Sequence, residues 1–183
     1  DEIADIARCH RAHVPFKRPE HLANDITSTK EVMTHAIKWL RQQEINCDAV
    51  CCLYATAPFV QHNDLHQALE LMKNSKPGTL VFSATSFPFP IQRAIYLNSD
   101  GYSSMFNPKH INSRSQDLKE AFHDAGQFYW ASPECWLSVL NIFEGMRPLI
   151  LPRWRVQDID TEEDWMRAEL IHQLLANQGL IHV

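Results

Sequence analysis

The amino-acid sequence predicts an α/β protein built on a doubly wound, mostly parallel sheet, and three observations carry that expectation. Residues 49–54 are apolar without interruption, as a strand buried on both faces of a parallel sheet should be. Segments of 3.6-residue periodicity flank it, giving a strand-helix-strand order whose crossover is expected to be right-handed. Near the end, Val156-Gln157-Asp158-Ile159-Asp160-Thr161-Glu162-Glu163-Asp164-Trp165 reads as a strand turning into a helix. Open α/β sheets bind ligands at such junctions.

The totals agree with one domain, residues 1–183. A chain of 183 residues buries roughly 70% of its unfolded surface around one core. No apolar stretch approaches the ~20 residues of a membrane span. A formal charge of -5 argues against nucleic acid as partner, since that needs clustered Lys and Arg. Five cysteines without CxxC spacing, and no leader-like start, indicate reduced thiols and a cytoplasmic location. Ten histidines include His62 and His66 four apart, and His10 and His13 beside Cys9. Neither group has four-ligand zinc spacing, so solvated histidine is the simpler reading. Five glycines leave no Gly-rich phosphate loop.

In chain order, Ile3, Ile6 and Ala7 share a helical face behind the acidic Asp1, Glu2 and Asp5. Val14-Pro15-Phe16 is a short extended piece, followed by Lys17-Arg18-Pro19 and a turn at Asn24-Asp25. Ser28 and Glu31 make a capping box for a helix to about residue 43, with Val32, Met33, Ala36, Ile37 and Leu40 as its apolar stripe. After the strand 49–54, residues 55–59 form the loop at its carboxyl end. A helix from about 64 to 74 should bury Leu65, Ala68, Leu69 and Met72, and Pro77-Gly78 turns it into a strand at 79–84. Phe/Pro-rich turns fill 86–91. Residues 93–106 read as a hairpin around Asn98-Ser99-Asp100-Gly101, an inserted arm. Residues 127–131 are strand-like, and Ser132-Pro133 starts a helix to about residue 143. Residues 149–151 lead to the acidic segment. The last helix, 162–178, should bury Trp165, Ala168, Ile171 and Leu175 and stop at Gly179.

In the acidic segment, the two-residue period of extended chain sends Asp158 and Asp160 to one side and Ile159 to the other. Asp160 is also placed to cap the last helix, with Glu163 three residues on. Paired hard oxygen donors suit Mg²⁺ shared with phosphates. The same short pattern also describes one capping and one solvated aspartate.

Several stretches, taken together, resemble the cytidylyltransferases that activate nine-carbon and eight-carbon sugar acids with CTP. They are Arg18-Pro19 with Leu22-Ala23 and Asp25, residues 53–59, Ser113-Arg114-Ser115-Gln116-Asp117-Leu118 with Gly126 and Tyr129, and Asp158-Ile159-Asp160. They span nearly the whole chain. Tyr54-Ala55-Thr56-Ala57-Pro58-Phe59 and His123-Asp124-Ala125-Gly126-Gln127-Phe128-Tyr129-Trp130 are most similar to the branch that acts on pseudaminic acid.

The resemblance implies a Rossmann-like nucleotidyltransferase fold, Mg²⁺ at Asp158 and Asp160, CTP and a sugar acid as substrates, and a homodimer formed through an arm at about residues 93–130. It implies catalytic roles for Asp158, Asp160 and Arg114, with Arg114 gripping the sugar carboxylate as a guanidinium fork does. Arg18, Ser28 and Thr29 fall near the nucleotide. Tyr54, Ala55 and Thr56 fall on the sugar-side loop, with Tyr54 where members acting on sialic acid carry Gln. Gln116, Asp117 and Tyr129 belong to the Arg114 motif. By themselves, Arg18 also reads as a solvated surface Arg, Tyr54 as a strand-end aromatic packed on a helix, Asp117 as a turn cap and Tyr129 as core. Gln92 and Arg93 stand where sialic-acid members place a Lys, and their role is open. Family members begin with a strand and a basic Gly-containing loop around the CTP phosphates. The start of this chain resembles the helix after their second strand. The expectation is therefore an N-terminally incomplete chain, inactive alone.

Three other functions fit parts of the pattern: a CMP-sialic acid synthetase, a glycosyltransferase with an Asp-x-Asp metal site, and an inactive scaffold. Pyrophosphate release separates the first from the second.

Overall fold

The computed structural model describes residues 2–139 and 141–179, so Asp1 of the acidic opening and Leu140 lie outside it. The elements in order are α1 (Glu2–Cys9), α2 (Thr29–Gln42), β1 (Val50–Leu53), α3 (His62–Lys73), β2 (Val81–Ser86), β3 (Ile95–Leu97), β4 (Ser103–Met105), β5 (Phe122–Ala131), α4 (Pro133–Ser138), β6 (Arg147–Ile150) and α5 (Glu162–Asn177).

The α/β class holds, with helices on both faces of a four-stranded sheet of order β1-β5-β2-β6. On one face Met33 and Ile37 of α2 and Cys135 and Trp136 of α4 pack against Leu80, Phe82, Ala84, Tyr129 and Ala131. On the other, Ala68 of α3 packs against Val81, Ala125, Phe128 and Leu151. Val81 and Phe82 thus serve opposite layers, as do Phe128 and Tyr129, which the strand alternation requires.

The sheet departs from the expected pairing in one respect. β1 and β2 are not neighbours: β5 lies between them, antiparallel to both, while β2 and β6 pair in parallel. The most deeply buried strand is therefore β2, buried from Val81 to Thr85. β1, expected to be buried on both faces, is an edge strand of the described sheet, with Leu53 51% exposed. Its apolar run still serves both layers, Val50 and Cys52 packing on the α2/α4 side and Cys51 on the α3 side, and the Trp136 indole of α4 donates to the Val50 carbonyl at 3.1 Å.

Ser28 caps α2 in a reciprocal box with Glu31, as its sequence demands. The β3–β4 hairpin is present and pairs Ile95 with Met105. α4 stops at Ser138, short of the expected residue 143: Val139 leaves helical geometry (φ -60, ψ 132), and the Asn141 side chain accepts the Phe143 N–H at 2.9 Å in a local turn. α5 ends before Gly179 at φ 67, as a glycine stop should. Its Trp165, expected in the core, is 57% exposed, because α5 packs through Ala168, Ile171 and Leu175.

Candidate functional site

The acidic segment is not a strand of the sheet. A single 3-10 turn at Arg153–Arg155 is followed by residues 156–160, which pair with no strand. The expected division of side chains nonetheless holds: Ile159 packs on Phe59, Ala168 and Leu175, while Asp158 and Asp160 both line a cavity of about 640 Å³ on the other side. The helix cap is shifted by one residue from the expected Asp160 and Glu163. Thr161 is the N-cap of α5 and Asp164 its partner, each side chain bonding the other's backbone N–H, because a hydroxyl followed three residues later by a carboxylate completes the box. That correction leaves Asp160 free of capping.

The cavity opens between the end of β2, the start of β5, the 3-10 turn and α5; its walls include Thr85, His123, Asp124, Arg153, Trp154 and Arg167. Four aspartates face it, and two are committed to the fold. Asp164 accepts Thr161 Oγ1 at 2.7 Å and Gln157 Nε2 at 2.9 Å; the Thr161 hydroxyl is the main cause of its lowered pKa. Asp124 accepts the Gly126 N–H at 3.0 Å and the Tyr129 hydroxyl. Asp158 Oδ1 accepts its neighbour's N–H, from Ile159 at 3.1 Å. Among the described residues, Asp158 Oδ2 and both oxygens of Asp160 accept no hydrogen bond. The uncommitted donors are hard oxygens, the set that suits a divalent cation keeping several waters. No three His, Cys, Asp or Glu side chains among the described residues converge as a complete metal cage. Arg153 and Arg167 form no ion pair among the described residues and add positive charge to the same walls.

The residues expected on the nucleotide and sugar sides divide between core and surface. Tyr54 follows β1 and its hydroxyl lies 2.5 Å from Thr29 Oγ1 at the start of α2. Its ring is 5.3 Å from that of Tyr129. Tyr129 is 1% exposed; burial, then the bond to the Asp124 carboxylate, raises its hydroxyl pKa well above the phenol range. It is a core residue that reaches the cavity through Asp124. Ser28 is engaged in its capping box, Arg18 and Ala55 are exposed, and Thr56 is half-buried.

Arg114 and Asp117 pair with each other at 2.8 Å on the surface, outside the acidic cavity. Gln116 lines a neighbouring pocket of about 210 Å³ with Phe87, Pro88 and Phe89. Pro88 borders both spaces, and His123, Asp124 and Ala125, which fall within the expected arm of about residues 93–130, line the acidic cavity itself. Gln92, whose role the sequence leaves open, donates to the Lys119 carbonyl at 2.8 Å.

Sequence reasoning missed the buried pair Asp64–Arg155, which joins α3 to the 3-10 turn at 2.6 Å. Nothing local marks it, because the residues are 91 apart. It also passed over Arg153 and Arg167, which look like ordinary surface cations. The signal for Asp124 was present: Asp124-Ala125-Gly126 is a sequence in which an aspartate bonds the backbone two residues on.

Comparison with known proteins adds the family. No protein-family model matches the chain. The pseudaminic acid cytidylyltransferase of Campylobacter jejuni subsp. jejuni serotype O:23/36 (strain 81-176) is 42% identical over 175 residues, covering 95% of this chain and 75% of that protein. The CMP-N,N'-diacetyllegionaminic acid synthase of Legionella pneumophila is 25% identical over 181 residues, covering 94% and 75%. Among solved structures, CMP:2-keto-3-deoxy-manno-octonic acid synthetase complexed with CTP superposes with a TM-score of 0.60 at 11% identity, over 94% of this chain and 78% of that one. The last comparison establishes the nucleotidyltransferase fold, and the near-complete match at 42% identity establishes more: this chain belongs to the pseudaminic acid cytidylyltransferase family.

Proposed function

We propose that the cavity bearing Asp158 and Asp160 carries out cytidylyl transfer from CTP to pseudaminic acid, giving the CMP-sugar and pyrophosphate. The observation that supports this most directly is the placement of two uncommitted carboxylates on one wall of a cavity in a chain so similar to such enzymes. The reaction joins the anomeric hydroxyl of the acid to the α-phosphorus of CTP as the bond to the pyrophosphate oxygen breaks.

Asp158 and Asp160 would hold the Mg²⁺ that we assign to this reaction. Such a cation neutralises charge on phosphate oxygens. Arg153 and Arg167 suit the anionic groups of either substrate, because guanidinium forks match carboxylate and phosphate geometry. Trp154, half exposed on the same wall, offers a face for stacking. Arg114, beside the neighbouring pocket, is the proposed carboxylate grip of the sugar acid and must exchange its Asp117 partner to act. Arg18, Ser28 and Thr29 are assigned to the nucleotide side; Tyr54, Ala55, Thr56, Gln116, Asp117 and Tyr129 are assigned to shaping the sugar side.

We further assign a homodimer through the arm. Leu97, Tyr102, Phe106 and Ile111 are each at least 66% exposed, more apolar surface than an isolated hairpin keeps in water without cause. Cytoplasmic location is proposed on the five free thiols.

The test is pyrophosphate release by the complete protein with CTP, Mg²⁺ and either pseudaminic or sialic acid. Pseudaminic acid should be preferred, and Asp158→Asn and Asp160→Asn should each lower kcat by on the order of a hundred-fold, the scale of losing one preorganised electrostatic contact. Thermal midpoints should be unchanged. Full activity in both variants would falsify the assignment, and turnover of a nucleotide-sugar without pyrophosphate would move the protein to glycosyl transfer.

A further inference from the structure

We infer that Gly126 and Asp124 form a seat that sets the position of the Asp158 carboxylate, which makes Asp124 a positioning residue and not a third cation ligand. The inference deepens the proposed metal role of Asp158 and rests on it only for the binding readout.

The seat begins as an irregularity of the sheet. Between the pairs Phe82↔Tyr129 and Ala84↔Asp124, β2 contributes one residue and β5 contributes four, so β5 bulges. A bulge bends its strand and re-aims what it carries. Two devices close this one. Ser83 Oγ accepts the N–H groups of Gln127 and Phe128 at 3.1 and 3.2 Å, replacing ladder bonds the bulge interrupts. Asp124 accepts the Gly126 N–H through Oδ1 and the Tyr129 hydroxyl through Oδ2. The turn is thereby tied to a buried tyrosine whose ring packs on Tyr54.

The bulge carries Gly126 directly under Asp158. Gly126 has φ +61, and a Cβ added there would stand 2.6 Å from Asp158 Oδ2 and 3.1 Å from its Cγ. The 2.6 Å contact is closer than real Cβ atoms come and the 3.1 Å contact is tight, so a side chain at 126 obliges the Asp158 carboxylate to shift. Asp158 is held from the other side by the Ile159 N–H at its Oδ1. One oxygen is fixed by its own backbone, and the other rests against the glycine. Asp124 faces the same cavity, yet both its oxygens already accept protein donors. Its contribution is the shape of the seat.

The experiment measures Mn²⁺ binding by electron paramagnetic resonance in the complete protein, together with thermal midpoints. Gly126→Ala should weaken Mn²⁺ by about ten-fold or more, the usual scale for disturbing the support of a metal ligand. Asp124→Asn should stay within about three-fold, because an amide still accepts from Gly126 and offers its N–H to the tyrosine oxygen; Asp124→Ala, which removes the acceptor, should weaken binding as Gly126→Ala does. The positive φ alone destabilises alanine, so Gly126→Ala is repeated in an Asp158→Ala background. There the clash is absent, and the fall in thermal midpoint should be smaller than in the parent. Unchanged Mn²⁺ binding in Gly126→Ala, equal midpoint losses in both backgrounds, or an Asp124→Asn loss as large as that of Asp158→Asn would each overturn the inference. If the parent protein fails to bind Mn²⁺, the metal reading falls and the coupling between positions 126 and 158 still decides the seat.

Discussion

Removing Asp64 should cost more stability than any single change on the surface of this protein, and the structure supplies the reasons. Its carboxylate takes both prongs of Arg155, at 2.6 and 3.0 Å, and both side chains are 8% exposed. One of its oxygens also accepts the Gln61 N–H at 3.3 Å at the start of α3. Asp64→Ala leaves a guanidinium in the interior with no counter-charge. Breaking a buried pair from one side costs about 3–5 kcal/mol, since desolvation is no longer offset. At about 2–4 °C per kcal/mol for a chain of this size, the thermal midpoint should fall by roughly 6–20 °C. The damage should reach the site, because the Arg155 carbonyl accepts Gln127 Nε2 at 3.0 Å and Asp158 lies three residues on. Urea unfolding of Asp64→Ala, Arg155→Met and the Asp64→Leu/Arg155→Met double variant forms the assay. The double variant should be more stable than either single one, since neither charge is then left alone. Single-variant losses below about 1 kcal/mol would place the pair with surface bridges and refute the reasoning.

Two further outcomes follow from ionisation. Asp164 and Glu31 have lowered carboxyl pKa values, each chiefly through the hydroxyl it bonds, Thr161 and Ser28. A depressed folded-state pKa contributes stability that is complete above the unfolded value and is lost as pH falls through the folded one. Stability should therefore decline as pH drops below about 4, less steeply in Thr161→Ala/Ser28→Ala; parallel pH curves for parent and variant would contradict this. Cys51 and Cys52 are pushed up to about 12 and about 11 by burial, while Cys9 and Cys47 are exposed. A disulfide reagent at pH 8 should label Cys9 and Cys47 quickly and the Cys51–Cys52 pair only on unfolding, since the thiolate is the reacting form; rapid labelling of all of them by mass spectrometry would contradict the burial.

What the sequence by itself determined is whatever local physics decides. The Ser28–Glu31 box, the periodic stripes of α2 and α3, the β3–β4 turn and the glycine stop of α5 each depend on residues within one or two turns of each other. The division of Asp158 and Asp160 from Ile159 is equally local, and it survives without a strand because extended backbone alternates whether or not it is paired. The cap at Thr161 was misplaced by one residue because Asp160 and Thr161 both have capping side chains, and only the geometry at Asp164 selects between them. Tertiary structure alone decided the rest. That β5 enters between β1 and β2, and so moves the buried centre of the sheet to β2, depends on pairings of residues as distant as Val50 and Ala131 or Val81 and Trp130, which no local window reveals. The Asp64–Arg155 pair, the packing of Tyr54 on Tyr129 and the approach of Asp158 to Gly126 are likewise meetings of distant segments. Composition says that such polar groups exist; burial, which only the packed chain establishes, makes their partners obligatory.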